Sequence, residues 1–257
     1  MNKLILTKLC FTLEFTRESR LPQFVGNTIR GAFGQSLHDN FRLAYDAIYK
    51  IESSESVPNP FVISAPYPSR GMYSVGDTLD FSVTLFGSAC CYEEETIGAV
   101  RSMCNGKLAG ASLASAECEY SREWSDLGAE GIPAYDAVTI CFVSPTEMLS
   151  GKQPVLEPDF STFIDRLFGR VSAICDTYGE SEFVVPYSLV ARKPLVRAEY
   201  SLKPVSINSN NQPISGFIGK VSYFGDIARY LPYIDLGSQM HIGKKTTRSC
   251  GEYYFVI

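Results

Sequence analysis

Histidine is scarce in this chain, with two in 257 residues, and none of its eight cysteines stands in a C-x-x-C pair. A zinc site readable from local sequence needs such pairs or a histidine cluster, so none can be assembled here. The cysteines, at positions 10, 90, 91, 104, 118, 141, 175 and 250, are expected to be buried free thiols. No cysteine has a histidine near it in sequence or sits in a nucleophile motif, so cysteine catalysis has no support. Long apolar runs are missing too. The opening "MNKLILTKLCFTLEF" is interrupted by Lys8 and Glu14 and reads as a first strand of a cytoplasmic protein, not as a leader or a membrane span. No low-complexity tract or long linker is visible.

What is present is an ordinary globular composition, 45% hydrophobic and 20% charged. The length suits two domains of roughly 100–150 residues. Net charge is −5, which argues against a nonspecific nucleic-acid binder, but its distribution is uneven. Residues 1–50 hold seven basic against four acidic side chains, residues 192–257 hold nine against four, and the middle holds seven against twenty. Positive charge is concentrated at the two ends.

Periodicity sets the architecture. Residues 3–15 read as a strand. In "LPQFVGNTIRGAFGQSLHDNF" the spacing becomes helical: Ile29, Phe33, Leu37 and Phe41 share one face, and Arg30, Gly34, His38 and Arg42 form a flanking row. "FVISAP" and "TLDFSVTLFG" follow as strands, the second alternating Leu79, Phe81, Val83 and Leu85 against Asp80, Ser82 and Thr84, which predicts a half-buried strand. "EEETIGAVRSMC" predicts a helix with an acidic first turn, and "LASAECEYSREW" a further strand. The order then restarts. "AYDAVTICFVSP" predicts a strand and "DFSTFIDRLFGRVSAICDTYG" a helix ending at Gly179. "LVRAEYSLKPVSI" and "GFIGKVSYFG" predict a hairpin closed by "NSNNQP". "DIARYLPYIDLG" predicts a helix kinked or delimited by Pro232, and "EYYFVI" a last strand. A βαββαβ order appearing twice predicts an α+β chain of two tandem ferredoxin-like domains. The boundary falls in "SREWSDLGAEGIP", giving domains 1–127 and 128–257.

Near the carboxyl end stands "HIGKKTTRSCGEYYFVI". This is not a Walker loop, which needs a glycine five residues before Gly243 and a helix afterwards, where a strand is expected. Lys244, Lys245 and Arg248 beside Gly243 either grip a backbone phosphate or form a solvated basic turn. His38 lies 180° around its helix from Ile29, among Arg30 and Arg42, where an imidazole is suited to proton transfer near a phosphate or is an ordinary exposed histidine. Tyr45 and Tyr49 could stack on a base or fill the core. His241, at a helix end, fits a capping or packing role.

Five stretches in this order resemble those of the CRISPR-associated repeat-RNA-processing endoribonucleases of the RAMP superfamily (the Cas-six family). They are "LPQFVGNTIRGAFGQSLH", "PYPSRGMYSVGDTLDFSVTLFGSA", "FVSPTEML", "RLFGRVSAIC" and "GFIGKVSYFGD…LPYIDLGSQMHIGKKTTRSCGEY". The resemblance covers nearly the whole chain. It implies a metal-independent endoribonuclease without cofactor, in which the 2′-hydroxyl beside the scissile bond attacks its own phosphate and leaves a 2′,3′-cyclic phosphate and a 5′-hydroxyl. The family's catalytic histidine in or after the first helix is matched by His38. The phosphate contacts would be Arg30, Arg42, Gly243, Lys244, Lys245 and Arg248. The family's loop reads G-x-G-K-x-T-x-x-G-x-G; here His241 and Ser249 stand in place of two of its glycines. The implied partners are the CRISPR repeat transcript, other CRISPR effector proteins and a second copy of the chain. The rival expectation is a non-catalytic RAMP subunit that holds RNA in an effector complex. No aromatic RNP pattern of an RNA-recognition motif is present, so base stacking on the sheets is not expected.

Overall fold

The computed structural model describes residues 3–49, 57–125, 135–151, 153–180, 184–186, 189, 195–208 and 213–257. It divides into two compact units. One gathers Leu4–Trp124 with Thr247–Ser249, the other Lys3 and Ser125–Thr246 with Cys250–Ile257.

In the N-terminal unit the order is β1 (Lys3–Phe15), α1 (Gly26–Asn40), β2 (Phe61–Ser64), β3 (Thr78–Phe86), α2 (Glu93–Met103) and β4 (Ala111–Ser125). The strands lie side by side as β2-β3-β1-β4, the ferredoxin-like arrangement in which the first and third strands are central. Antiparallel pairing sets Leu9 opposite Val83, Phe11 opposite Phe81 and Leu13 opposite Leu79, which puts one apolar row of each strand on the same face. That face is buried with Ile29, Phe33 and Leu37 of α1 and Ala99, Val100 and Met103 of α2. Each of these side chains larger than Ala99, fully buried, contributes about 1.5–3 kcal/mol of hydrophobic stabilisation.

Two expectations change here. Ser82 and Thr84, read as the wet face of β3, are 6% and 3% exposed. β3 is a central strand bonded on both edges, Ser82 lying between Cys10 and Ser64 and Thr84 between Lys8 and Val62, and the face they share with the fully buried Val62 is covered as well as the core face. Phe41, read as the fourth apolar residue of α1, is instead its C-cap, and its ring fills the space that Gly98 of α2 leaves open.

In the C-terminal unit the order is β5 (Ala137–Thr146), α3 (Phe160–Tyr178), β6 (Arg197–Ile207), β7 (Ile214–Phe224), α4 (Leu231–Met240) and β8 (Tyr253–Val256), with strands side by side as β6-β7-β5-β8. The same topology therefore occurs twice, and the fold is two tandem ferredoxin-like domains. α3 starts at Asp159, whose carboxylate accepts from the Thr162 N–H at 2.7 Å, an N-cap bond that satisfies one of the helix's orphan donors. Its apolar residues from Phe160 to Cys175 are buried in an unbroken stripe. Pro232 sits in the first turn of α4, where its missing N–H costs nothing, so it delimits the helix and does not kink it. β6 and β7 pair from Arg197 opposite Phe224 to Ile207 opposite Ile214. Residues 209–212 of the "NSNNQP" turn and residues 126–134 of the expected boundary lie outside the described residues.

The cysteines are all free, but burial holds for only four, at 104, 141, 175 and 250. Cys10 and Cys90 are partly covered. Cys91 and Cys118 are exposed because they lie on a 3₁₀ turn and on the edge strand β4. No helix among the described residues is long and apolar enough to cross a membrane.

Candidate active site

In the N-terminal unit α1 is the scaffold. Gly34 has no side chain where a Cβ would overlap the Tyr49 ring, so that ring lies directly on the helix. A π-helical turn at Tyr45–Tyr49 brings it there, and the Tyr49 hydroxyl donates to the Arg30 carbonyl at 3.2 Å. The Arg30 guanidinium stands 4.7 Å over the Tyr49 ring and its Nε donates to Thr247 Oγ1 at 3.1 Å. Burial raises the Tyr49 hydroxyl above its ordinary pKa, opposed by the positive charges of Arg30 and Arg248. The structure thus sets Arg30 on this ring, with Arg248 near enough for its charge to be felt there. Arg42 lies over Tyr45, 5.4 Å from its centroid, with Nε 3.4 Å from Asp46 Oδ2.

The rings continue outward to His38. Tyr49 stacks on Tyr45 at 5.5 Å, and Tyr45 meets the His38 imidazole edge-on at 5.1 Å. His38 is about half exposed, and its Nδ1 lies 2.8 Å from Asp39 Oδ1. Asp39 also accepts two hydrogen bonds from Gln35 Nε2, at 2.9 and 2.8 Å. These contacts, His38's first and Gln35's second, hold the Asp39 carboxyl below its ordinary pKa. With Nδ1 engaged by a carboxylate, Nε2 is the nitrogen left to exchange a proton with a substrate. Sequence reasoning passed over Asp39; the signal was its i,i+4 spacing from Gln35 on the helix bearing His38.

In the C-terminal unit the basic loop is tightly built. His241 (φ 58°), Gly243 (φ 81°), Lys245 (φ 60°) and Gly251 (φ 75°) all have left-handed backbone, as does Ser249 (φ 64°), which belongs to the N-terminal unit. A Cβ at Gly243 would overlap the Glu147 carbonyl, and one at Gly251 the Ile242 carbonyl, so glycine is required at both. His241 and Ser249 adopt the same conformation as side-chain-bearing residues and compensate by bonding: His241 Nδ1 lies 3.1 Å from the Cys250 carbonyl, and Ser249 Oγ bonds the Ala65 backbone. His241, 1% exposed, is thus an interior packing residue.

The two lysines diverge. Lys245 Nζ is 2.6 Å from Glu147 Oε2 and 2.9 Å from the Pro213 carbonyl, whereas Lys244 is more than half exposed with Nζ 4.0 Å from Glu147 Oε1. The Lys244 N–H donates to the Glu147 carbonyl at 3.1 Å. Arg170 of α3 donates to the Met240 carbonyl and to Thr246 Oγ1, spanning the loop, and burial lowers its pKa to about 10. Neither Glu147 nor Arg170 was singled out from sequence, since each acts on residues about 70 to 100 positions away.

Residues 140–253 match the family model of the CRISPR-associated endoribonuclease Cas6. Those 114 residues, the greater part of the C-terminal unit, belong to the Cas6 family. A second model, described as an N-terminal domain, matches residues 4–127. Among solved structures, Cas6 from Thermus thermophilus is 14% identical with a TM-score of 0.68, covering 98% of this chain and 99% of that one. A second Cas6, solved as a product complex, is 17% identical with a TM-score of 0.64, covering 98% and 100%. A partial Cas6-RT-Cas1–Cas2 complex gives 13% and 0.69, covering 98% of this chain and 46% of that one. At these identities the likeness is one of fold. No curated protein matches the chain in sequence. The family assignment makes this chain an endoribonuclease.

Proposed function

We propose that this Cas6-family chain cuts CRISPR repeat RNA by intramolecular transesterification without a metal ion. The 2′-oxygen forms a bond to phosphorus as the P–O5′ bond breaks, so the products are a 2′,3′-cyclic phosphate and a 5′-hydroxyl. The step needs a group to take the 2′-OH proton, a group to protonate the leaving 5′-oxygen, and positive charge on the phosphorane. His38 performs one of the two proton transfers through Nε2. Asp39 holds Nδ1 and so orients the ring, as carboxylates do for catalytic imidazoles in general. Arg30, Arg42 and Arg248 supply positive charge in the N-terminal unit, and Lys244 supplies it from the loop around Gly243. Lys245, held by Glu147, contributes by fixing that loop and reaches phosphate only by leaving its carboxylate.

The observation that carries this reading is the exposed His38 imidazole bound at Nδ1 to a carboxylate, on the same helix as Arg30. The partners that follow are the repeat transcript and, from the likeness to a Cas6-RT-Cas1–Cas2 complex, other CRISPR proteins. Single-turnover cleavage tests it. His38→Ala is expected to slow the cut by about 10²–10⁴-fold with RNA affinity little changed; an unchanged rate removes His38 from the mechanism.

A further inference from the structure

Outside these residues, the N-terminal unit has a second basic feature. A cavity of about 400 Å³ opens between the segment leaving β1 and the turn before β4, and is lined by Arg17, Glu18, Arg20 and Lys107 over an apolar floor that includes Phe15 and Leu108. Its walls are fixed by backbone bonds. Thr16 N–H donates to the Gly110 carbonyl at 2.9 Å, and Ser19–Arg20 pair as a short strand with Met72–Tyr73. Gly110 has no side chain where a Cβ would overlap Ser19 Oγ and come within 3.3 Å of Arg17 Nε, so the guanidinium lies close against bare backbone. Three cations face one carboxylate in a chain of net charge −5. Among the described residues neither Arg17 nor Arg20 has an ion-pair partner, and Glu18 pairs with neither. The volume is that of a small ligand site, enough for a nucleotide.

One residue of the cavity wall reaches α1. Lys107 Nζ donates to the Gly31 carbonyl at 3.3 Å, one residue beyond Arg30. That bond uses one of three ammonium donors and leaves two for a ligand.

We infer that this cavity is a second RNA-backbone subsite, in which Arg17, Arg20 and Lys107 hold a phosphate of the strand that continues past the reaction centre. The inference rests on the proposed function, since the strand it receives is the RNA held beside Arg30. Recognition is by charge, so it adds affinity without choosing sequence. Glu18 opposes binding and limits it.

The test uses a fluorescein-labelled single-stranded RNA carrying the host's CRISPR repeat, with a 2′-deoxy substitution at the mapped cut, titrated at several salt concentrations. For Arg17→Gln/Arg20→Gln, loss of two phosphate contacts is expected to flatten the slope of log affinity against log salt by about 1.4 and to weaken binding about 25-fold at 0.1 M salt. Glu18→Gln is expected to tighten binding several-fold, a gain that a misfolded variant cannot produce. Cleavage of RNA carrying the natural 2′-hydroxyl, at saturating protein, should be unchanged in both. If the wild-type chain binds and cuts while the double variant keeps its affinity and slope, the subsite is refuted and the nuclease stands. If the wild-type chain does not bind this RNA at all, both readings are overturned.

Discussion

The Ser249 hydroxyl bonds both backbone groups of Ala65, accepting from its N–H at 2.9 Å and donating to its carbonyl at 3.2 Å. Ser249 is buried in a left-handed conformation that costs a side-chain-bearing residue about 1–2 kcal/mol. Ser249→Ala keeps that strain and strands the Ala65 N–H, at a cost of about 1–3 kcal/mol. Ser249→Gly loses the same bonds but relieves the strain. Urea unfolding should therefore rank the glycine variant above the alanine variant; the reverse order would contradict this account of the loop.

Gly31 and Gly34 sit three residues apart on α1 and should respond oppositely to alanine. At Gly31 a Cβ meets only Lys107 Nζ, at 3.7 Å, so Gly31→Ala is expected to gain about 0.5–1 kcal/mol of helix stability. At Gly34 the Cβ displaces the Tyr49 ring on which Arg30 rests, so Gly34→Ala is expected to lose about 1–3 kcal/mol and to weaken RNA binding. Thermal melts and binding titrations on the two variants check both signs.

Lys244 and Lys245 are neighbours with different expected roles. Lys245→Ala leaves the largely buried Glu147 without its close partner and should destabilise the fold by about 1–3 kcal/mol. Lys244→Ala should change stability by less than about 0.5 kcal/mol, yet weaken RNA binding and flatten its salt slope by about 0.7. Equal stability losses at the two positions would refute this division.

Alkaline pH should expose Cys10. Burial, and then the hydrogen bond to Glu119, push its thiol up to about 11 from the ordinary 9.0. The folded chain holds this proton more tightly than the unfolded one, so the contribution to stability is complete below about pH 9 and is lost as pH rises towards 11. Unfolding free energies should fall across that window, and Cys10→Ser should make the fall shallower.

The parts of this molecule that were legible in the sequence are those determined by neighbours along the chain. α3 could be read residue by residue because its stripe and its Gly179 stop are local. The doubled strand order was legible for the same reason. Burial of Ser82 was not, because alternation along one strand does not reveal that both faces of the sheet are covered there. The loop shows the limit most clearly: His241 and Ser249 look like departures from a glycine pattern, yet the backbone keeps its left-handed turns. The bonds that compensate at Ser249 reach a residue 184 positions away. Asp39 was missed although adjacent to His38, since only the folded helix turns Gln35 and His38 onto one carboxylate.

The central claim is metal-free transesterification by a Cas6-family nuclease, and the most direct measurement is cleavage of the host's CRISPR repeat RNA in excess EDTA with both product ends mapped. One cut per repeat, with a 2′,3′-cyclic phosphate on one product and a 5′-hydroxyl on the other, is the predicted result. Intact RNA under these conditions, or a cut leaving a 5′-phosphate, would contradict it.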